Sequence, residues 1–570
     1  MRIKGKRPNF LIFMVDEERY PSVYETDEVR DWRRAEFKAQ DALRRTGIEF
    51  HRHYVGATAC SPSRATIFTG QYPSLHGVTQ TTGTAKGSFD SDVFWLDQNT
   101  VPTMGDYFRA GGYRTFYKGK WHVSHADIVL PGTHDALESY APNGEPIPEI
   151  IDLYLRANRL DEYGFNGWVG PEPHGAAKAN TGTNRDPGFM TETIHLLDAL
   201  EAESKKGSDR SPWLIVNSFV NPHDIVLFGL AWKNFGYPLT EGFVPRIPRP
   251  PTEGESLDRK PRAQQSYVNV YPKMLTPQPT IEEYRQFYYY LQKESDGHIY
   301  NVFERLRNSP FFENTIVLFT SDHGDLLGAH GRMHQKWHQA YEEATHVPLI
   351  ISNPVLFKEP RDATMLTSHV DLIPTLLGLA DIDIAAAQTE VSKSHNETQP
   401  LVGRDLSPVV LGKQDPNRST SPLYFMTDDE ISSGQNQISP LTGKSYHSVV
   451  QPNHIETVIA ALDGPGGEQV WKYSRYFDNP QFWSSPFQQD QVTVDDKTVT
   501  KKKPLPPEFE MYNLSADQVE QENLAYKSNR SRADKARAEE LRLLLREQRK
   551  AKRLYPKSLP VYVYDTIQSD

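Results

Sequence analysis

The sequence predicts an α/β fold: a doubly wound, mostly parallel central sheet flanked by helices, with a smaller C-terminal α+β subdomain. Three observations carry this. Short apolar runs alternate with helical patterns from Asn9 to Ala380. The runs are continuously apolar, as expected of parallel strands covered on both faces. Four of them end in polar clusters, and in open α/β sheets ligands gather at the carboxyl ends of strands.

The expected strands are "NFLIFMV" (Asn9–Val15), "YRTFY" (Tyr113–Tyr117), "WLIVNSFV" (Trp213–Val220), "TIVLFTS" (Thr315–Ser321) and "VPLIIS" (Val347–Ser352), all read as buried and parallel. The first four run into "DEER", "KGKWH", "NPHD" and "SDHGD". Between them, "TVPTMGDYFRAGG" reads as a helix capped by Thr100 and stopped at Gly111, Thr280–Asn308 as a long amphipathic helix, and "SHVDLIPTLLGLA" as a short one. Residues 1–410 are assigned to the catalytic domain. Within it Pro131–Asp209, polar and turn-rich, reads as an insertion over the sheet edge near the substrate site. Residues 411–530 form a C-terminal subdomain, entered through the linker "LGKQDPNRSTSP", in which "VWKYSRYF" and "FEMYNL" are strands of a small antiparallel sheet. Residues 531–570 hold a basic helix with apolar Leu541, Leu544 and Leu545, then "LPVYVYD", an edge strand; this tail is expected to dock on a neighbouring subunit and make a homo-oligomer.

Charged residues make up 24% and hydrophobic residues 37% of the 570, an ordinary globular composition, and no apolar run approaches a membrane span. The net charge of −11 argues against nucleic acid as a partner and means that an anionic substrate requires cations focused at its site. The apolar run near the N-terminus is too short for a secretion signal, and the one cysteine forms no internal disulfide; both lead to an expected cytoplasmic location.

That cysteine, Cys60, lies in "GATACSPSRATIFTG". Pro62 suits a first helical turn and Gly70 a helix stop, so Cys60 sits at a helix N-terminus, where free N–H groups and the dipole favour an anion. Arg64 lies one turn on. Three readings are open: a small buried hydrophobe, a thiolate nucleophile activated by the helix and Arg64, or the precursor of a modified side chain. A tyrosine-phosphatase loop would space its Cys and Arg further apart than the three residues found here.

The third reading comes from resemblance. "CSPSRATIFTG" resembles the signature of the type I sulfatases of the alkaline phosphatase superfamily. "PNFLIFMVDE", "GYRTFYKGKWH", "NPHD", "FTSDHGDLLGAHG", "YEEATHVPLIIS", "SHVDLIPTLLGLA" and "EFEMYNLSADQVEQENLA" follow in the family's order, covering the chain apart from Pro131–Asp209 and the tail. The resemblance implies hydrolysis of a sulfate monoester. It implies that Cys60 is converted to formylglycine by a formylglycine-generating enzyme that reads Cys60, Pro62 and Arg64. It implies one divalent metal held by Asp16, Glu17, Asp322, His323 and residue 60. Relatives commonly have Asp-Asp and Asp-Asn where this chain has Asp16–Glu17 and Asp322–His323. Oxygen donors favour Ca2+ or Mg2+ and the imidazole favours Mn2+, so Ca2+ is expected first, with Mn2+ or Mg2+ as alternatives. It further implies that Arg64 orients residue 60, Lys120 holds a sulfate oxygen, His122 takes a proton at residue 60, and His223 and Lys336 face the leaving oxygen. Lys336 needs a one-residue insertion relative to the family spacing, and His338, in a second "KWH", is its alternative. Arg19 and Asp325 are candidate supports, and Thr79–Asp92 with the insertion is expected to set specificity. The competing functions are a phosphonate monoester or phosphodiester hydrolase of the same superfamily, which usually lacks the "GKWH" pair, and a catalytically dead oligomeric binding protein.

Overall fold

The computed structural model describes residues 3, 5–83, 85–173, 178–207, 211–228, 243–419, 421–494 and 497–557. A seven-stranded sheet forms its centre. In chain order the strands are β1 (Asn9–Asp16), β2 (Gly47–Phe50), β3 (Arg114–Gly119), β4 (Trp213–Pro222), β5 (Thr315–Ser321), β6 (Leu349–Ser352) and β7 (Arg361–Ala363). Their order across the sheet is β3-β4-β1-β5-β6-β2-β7. The first four neighbours are all parallel, so their carboxyl ends lie side by side.

Six helices flank its two faces, α1 (Lys38–Arg45), α2 (Cys60–Thr69), α3 (Met104–Ala110), α4 (Gly182–Lys206), α6 (Glu282–Arg307) and α7 (Leu372–Ala380), while α5 (Arg262–Met274) packs toward the C-terminal part of the chain. β1 shows why its apolar run is continuous. Phe10, Ile12 and Met14 join a core with Phe68 of α2, Phe108 of α3 and Leu376 of α7. Leu11, Phe13 and Val15 join another with Leu43 of α1, Leu197 of α4 and Ile299 of α6. Alternate side chains thus serve opposite layers, and none faces water.

Several local expectations are corrected. "VPLIIS" does not continue the parallel set: β6 runs antiparallel to β5, because the chain between them stays at the carboxyl end of the sheet instead of crossing back. The helix after Pro102 is capped by Thr103, not Thr100; Thr103 accepts from Gly105 and Asp106 while Asp106 accepts from the Thr103 N–H. The long helix begins at Glu282. Pro131–Asp209 is not mainly turns, since it contains the 25-residue α4. That helix buries Phe189, Thr193, Leu197 and Leu200, too sparse an apolar stripe to stand out among its charges.

A second sheet, antiparallel, contains β8 (Leu423–Thr427), β9 (His454–Gly464), β10 (Gly467–Phe477) and β11 (Glu508–Asn513) in that order. "VWKYSRYF" and "FEMYNL" fall on β10 and β11. The tail forms α8 (Arg532–Lys552), and the apolar residues on which its docking to a neighbour was expected pack on this chain. Leu541 and Leu545 are buried in one cluster with Val458, Trp471 and Met511 of this chain's own second sheet. Arg549 Nε lies 2.9 Å, and Arg553 Nη1 2.5 Å, from the Glu456 carboxylate of β9. The apolar face that suggested a partner is therefore covered within the chain. "LPVYVYD" lies outside the described residues. No described helix is long and apolar enough to cross a membrane.

Candidate functional site

The four polar clusters meet where β3, β4, β1 and β5 end. Asp16, the last residue of β1, is wholly buried, and its carboxylate receives Lys120 Nζ from the end of β3 at 2.7 Å and Arg64 Nη2 from α2 at 2.9 Å. Arg64 Nε reaches Asp322 Oδ2, just past β5, at 2.7 Å. Its Nη1 donates to the Lys120 carbonyl at 2.6 Å and to Ser218 Oγ of β4 at 3.0 Å. One guanidinium thus ties three strand ends together and fixes the spacing of two carboxylates. Burial alone would raise Asp16, but Lys120 and Arg64 outweigh it and hold the carboxyl well below the usual range.

Cys60 opens α2, a helix whose ten residues are all buried and whose N-cap, Ala59, offers no side-chain acceptor. Gly70 ends it in the left-handed conformation, φ 65°. The Cys60 sulfur lies 3.1 Å from His323 Nε2 and 3.7 Å from Asp16 Oδ1. Burial, reinforced by Asp16, pushes the thiol up to about 11. Burial therefore works against a thiolate nucleophile here.

Ligand atoms of Asp16, Cys60, Asp322 and His323 all lie within 4.8 Å of one another, and those of Asp16, Glu17 and His223 form an adjoining group. His323 Nδ1 faces the Gly324 carbonyl at 3.0 Å. Since a carbonyl only accepts, Nδ1 carries the proton and Nε2 turns its lone pair to the cluster. Burial lowers the His323 pKa despite Asp322, which keeps the ring neutral, the form that binds metal. Both Glu17 carboxylate oxygens are buried without a well-aligned hydrogen bond, and only Oε2 has a cation beside it, Lys336 Nζ. Two carboxylates, a neutral imidazole and an under-coordinated third carboxylate fit a divalent cation.

The cationic residues ring one pocket. Lys120, His122, His223 and Lys336 all line it with Cys60. Lys336 Nζ lies 3.1 Å from Glu17 Oε2, and Cys60 and Glu17 raise its pKa against the effect of burial. His338, the alternative, is not among the lining residues; its Nε2 points to Glu430 at 3.8 Å. His223 keeps a fifth of its side chain exposed; desolvation and Lys120 hold it well below its ordinary value. Arg19 and Asp325 lie beneath the pocket. Arg19 Nη1 donates to the Asp325 carbonyl at 3.3 Å, and Tyr288 bridges the Arg19 N–H and the Glu17 carbonyl.

Two close approaches shape the strand ends. A Cβ at Gly119, φ 99°, would sit 1.8 Å from the Ser218 carbonyl oxygen, so only glycine lets β3 turn into Lys120 beside β4. A Cβ at Gly324 would sit 2.0 Å from the Glu343 carbonyl oxygen. Glu17 and His122 themselves take left-handed backbone, φ 76° and 56°, which is uncommon for such residues; His122 lines the pocket, and Glu17 lies behind it against Lys336.

Comparison with known proteins fits this geometry. The family model described as Sulfatase matches residues 8–382. The chain belongs to the sulfatase family. It is similar to the uncharacterized sulfatase YidJ of Escherichia coli, 28% identical over 388 residues covering 66% of this chain and 69% of YidJ. Among solved structures, a putative sulfatase from Bacteroides thetaiotaomicron shares the fold with TM-score 0.59 at 20% identity, over 98% of this chain and 96% of that one. The phosphonate monoester hydrolase of Agrobacterium radiobacter does so with TM-score 0.55 at 20% identity, over 95% and 96%. At these identities the structural likeness speaks for the fold alone. The sulfatase is a sulfuric ester hydrolase of alkaline phosphatase-like architecture.

The sulfatase's site also contains residues that sequence reasoning missed. Glu172, inside the expected insertion, accepts from the backbone N–H of His122 at 2.7 Å and of Trp121 at 3.2 Å, which holds the His122 turn in place. Thr82 Oγ1 lies 2.8 Å from His122 Nε2, inside the stretch Thr79–Asp92 that was expected to set specificity. Tyr271 and Leu275 at the end of α5, and Ile431 and Leu441 beyond β8, line the pocket from segments with no motif.

Proposed function

We propose that the protein hydrolyses a sulfate monoester, R–O–SO3− and water giving R–OH and sulfate, with formylglycine made from Cys60 and one divalent cation. The observation that supports this best is the meeting of the Cys60 sulfur with Asp16, Asp322 and His323 at the base of a pocket ringed by Lys120, His122, His223 and Lys336. The sulfur stands in for the aldehyde oxygen. A hydrated aldehyde supplies two hydroxyls on one carbon: one attacks sulfur as the R–O bond to sulfur breaks, and the other then loses its proton, so that the carbonyl re-forms and sulfate leaves with the attacking oxygen. Asp16, Asp322 and His323, with Glu17 alongside, would hold the cation, which neutralises sulfuryl oxygens when bound; Ca2+ is proposed first and Mn2+ second.

The remaining work falls to this chain's own groups. Arg64 orients residue 60 and keeps the two ligand carboxylates apart at fixed distance. Lys120, already on Asp16, offers its charge to a sulfate oxygen. His122, steadied by Glu172 and Thr82, takes the proton from the hydroxyl at position 60. His223, whose pKa desolvation and the Lys120 charge lower, protonates the leaving oxygen once the entering sulfate offsets that charge, and Lys336 offsets the charge on the leaving oxygen. Maturation requires a formylglycine-generating enzyme that reads Cys60, Pro62 and Arg64. The single cysteine suits the cytoplasm, the location proposed.

Two measurements test this. A peptide mass spectrum across position 60 of natively produced, active protein is expected to show the exchange of SH2 for O; an unmodified thiol refutes the aldehyde mechanism. Rates on an aryl sulfate and a phenyl phosphonate ester, side by side, are expected to favour the sulfate. Preference for the phosphonate would reverse the assignment.

A further inference from the structure

The pocket has two unlike sets of lining residues. One is Cys60, Lys120, His122, His223 and Lys336. The other is Val226 and Leu227 after β4, Leu275 after α5, Trp337, Ile431 and Leu441. Four separate segments thus supply apolar lining to the pocket that holds the reacting centre. Resting on the sulfatase reading above, we propose that the alcohol half of the substrate is apolar and uncharged, an aryl or cycloalkyl group, and not a sugar or a quaternary ammonium.

Three polar side chains that line the pocket, Lys86, Trp337 and Gln335, are already engaged. Lys86 Nζ, on a side chain only 1% exposed, donates to Gln80 Oε1 at 2.8 Å, Asp92 Oδ2 at 2.6 Å and the Glu430 carbonyl at 2.7 Å, so its three protons are used. Trp337 Nε1 donates to Asp429 at 2.9 Å, and Gln335 Nε2 to Tyr271 Oη at 2.5 Å. A sugar would bring several hydroxyls to this lining and leave them without the partners they had in water, which weakens binding. A cationic alcohol is disfavoured for a second reason. Among the described residues no carboxylate lines the pocket to receive it. An apolar ring, by contrast, gains by leaving water against the leucines and the Trp337 and Tyr271 rings.

The test uses full-length enzyme with residue 60 converted. The specificity constant, kcat/KM, is measured for phenyl sulfate, cyclohexyl sulfate, glucosamine 6-sulfate and choline sulfate. Cyclohexyl sulfate releases an unactivated alcohol as the sugar does, so their ratio reports recognition and not leaving-group ability. Cyclohexyl sulfate is expected to exceed both glucosamine 6-sulfate and choline sulfate by about 100-fold, the scale of discrimination that one pocket wall supplies. In Leu275→Asn and Ile431→Asn, KM for cyclohexyl sulfate is expected to rise about tenfold, with the melting temperature recorded to show that each variant is folded. Equal or better turnover of the sugar or choline ester overturns this inference and leaves the sulfatase reading intact. So does an unchanged KM in both folded variants. If none of the four sulfates is turned over while a phenyl phosphonate ester is, the sulfatase reading falls and the inference falls with it.

Discussion

Replacing His330 by glutamine removes a charge that holds the loop carrying Asp322, His323 and Lys336. His330 is wholly buried, with Nδ1 2.9 Å from Glu255, Nε2 3.3 Å from Glu343, and its ring stacked on Tyr341 at 3.5 Å between centroids. Burial disfavours the imidazolium, but Glu343 and Glu255 outweigh it, against opposition from Lys260, and raise the pKa from 6.5 to about 9. Because the folded value lies above the unfolded one, the stabilisation is complete below pH 6.5 and is lost as the pH climbs through about 9. Linkage over that span gives an upper bound of about 3 kcal/mol at pH 6, about 1.5 at pH 8 and about 0.4 at pH 9. Glutamine keeps a donor and an acceptor but carries no proton to lose. The assay is urea unfolding of both proteins at half-unit steps from pH 6 to 9.5. The stability gap is expected to be widest at the acid end and to close toward pH 9. A gap that is flat across the range, or that widens with pH, would refute the claim that a charged His330 locks the loop.

Lys336→Ala is expected to lower kcat/KM by about 100- to 1000-fold, the usual loss when one group offsetting transition-state charge is removed, whereas His338→Ala costs far less; steady-state kinetics on one aryl sulfate separates them. Chelation by EDTA should abolish turnover, with Ca2+ restoring it better than Mg2+ in a titration of activity against added metal. Leu545→Ala should lower the free energy of unfolding by about 2–5 kcal/mol, because the leucine is buried against β9 and β10. Light scattering should find the mass of that variant unchanged, as expected of a helix that packs on its own chain.

How far the sequence is legible depends on where the information lies. The four motif-bearing strands are readable because a strand buried on both faces must be apolar throughout, and because the polar residues that follow each one have no packing reason to be there. Cys60 and Arg64 are readable as a pair because a spacing of four places both on one face of α2. The sparse stripe of α4 and the self-covered face of α8 are not: α4 is read as turns, and the apolar face of α8 as an offer to a partner, until the surface that covers each is known. Pairing partners are equally silent, and β6 turns antiparallel only because of where its connection runs.

The pocket divides along the same line. Its reacting residues belong to motifs legible in the sequence, at strand ends for Lys120, His122 and His223 and at a helix start for Cys60. Its apolar lining comes from Leu275, Ile431 and Leu441, which are ordinary hydrophobic residues in their own segments and acquire a role only by lining the same pocket as Cys60. Glu172 is hidden for the same reason, since a carboxylate fifty residues from His122 in sequence has no local signature, yet it holds the backbone N–H groups of Trp121 and His122. The φ values of 76° at Glu17 and 56° at His122 are hidden more deeply. An isolated Glu or His avoids that conformation, at about 1–3 kcal/mol, so only the surrounding contacts impose it. Chemistry is therefore written locally, as residue types at the ends of strands, whereas specificity is written in the packing of distant segments; this is why the reaction class is readable before the alcohol it acts on.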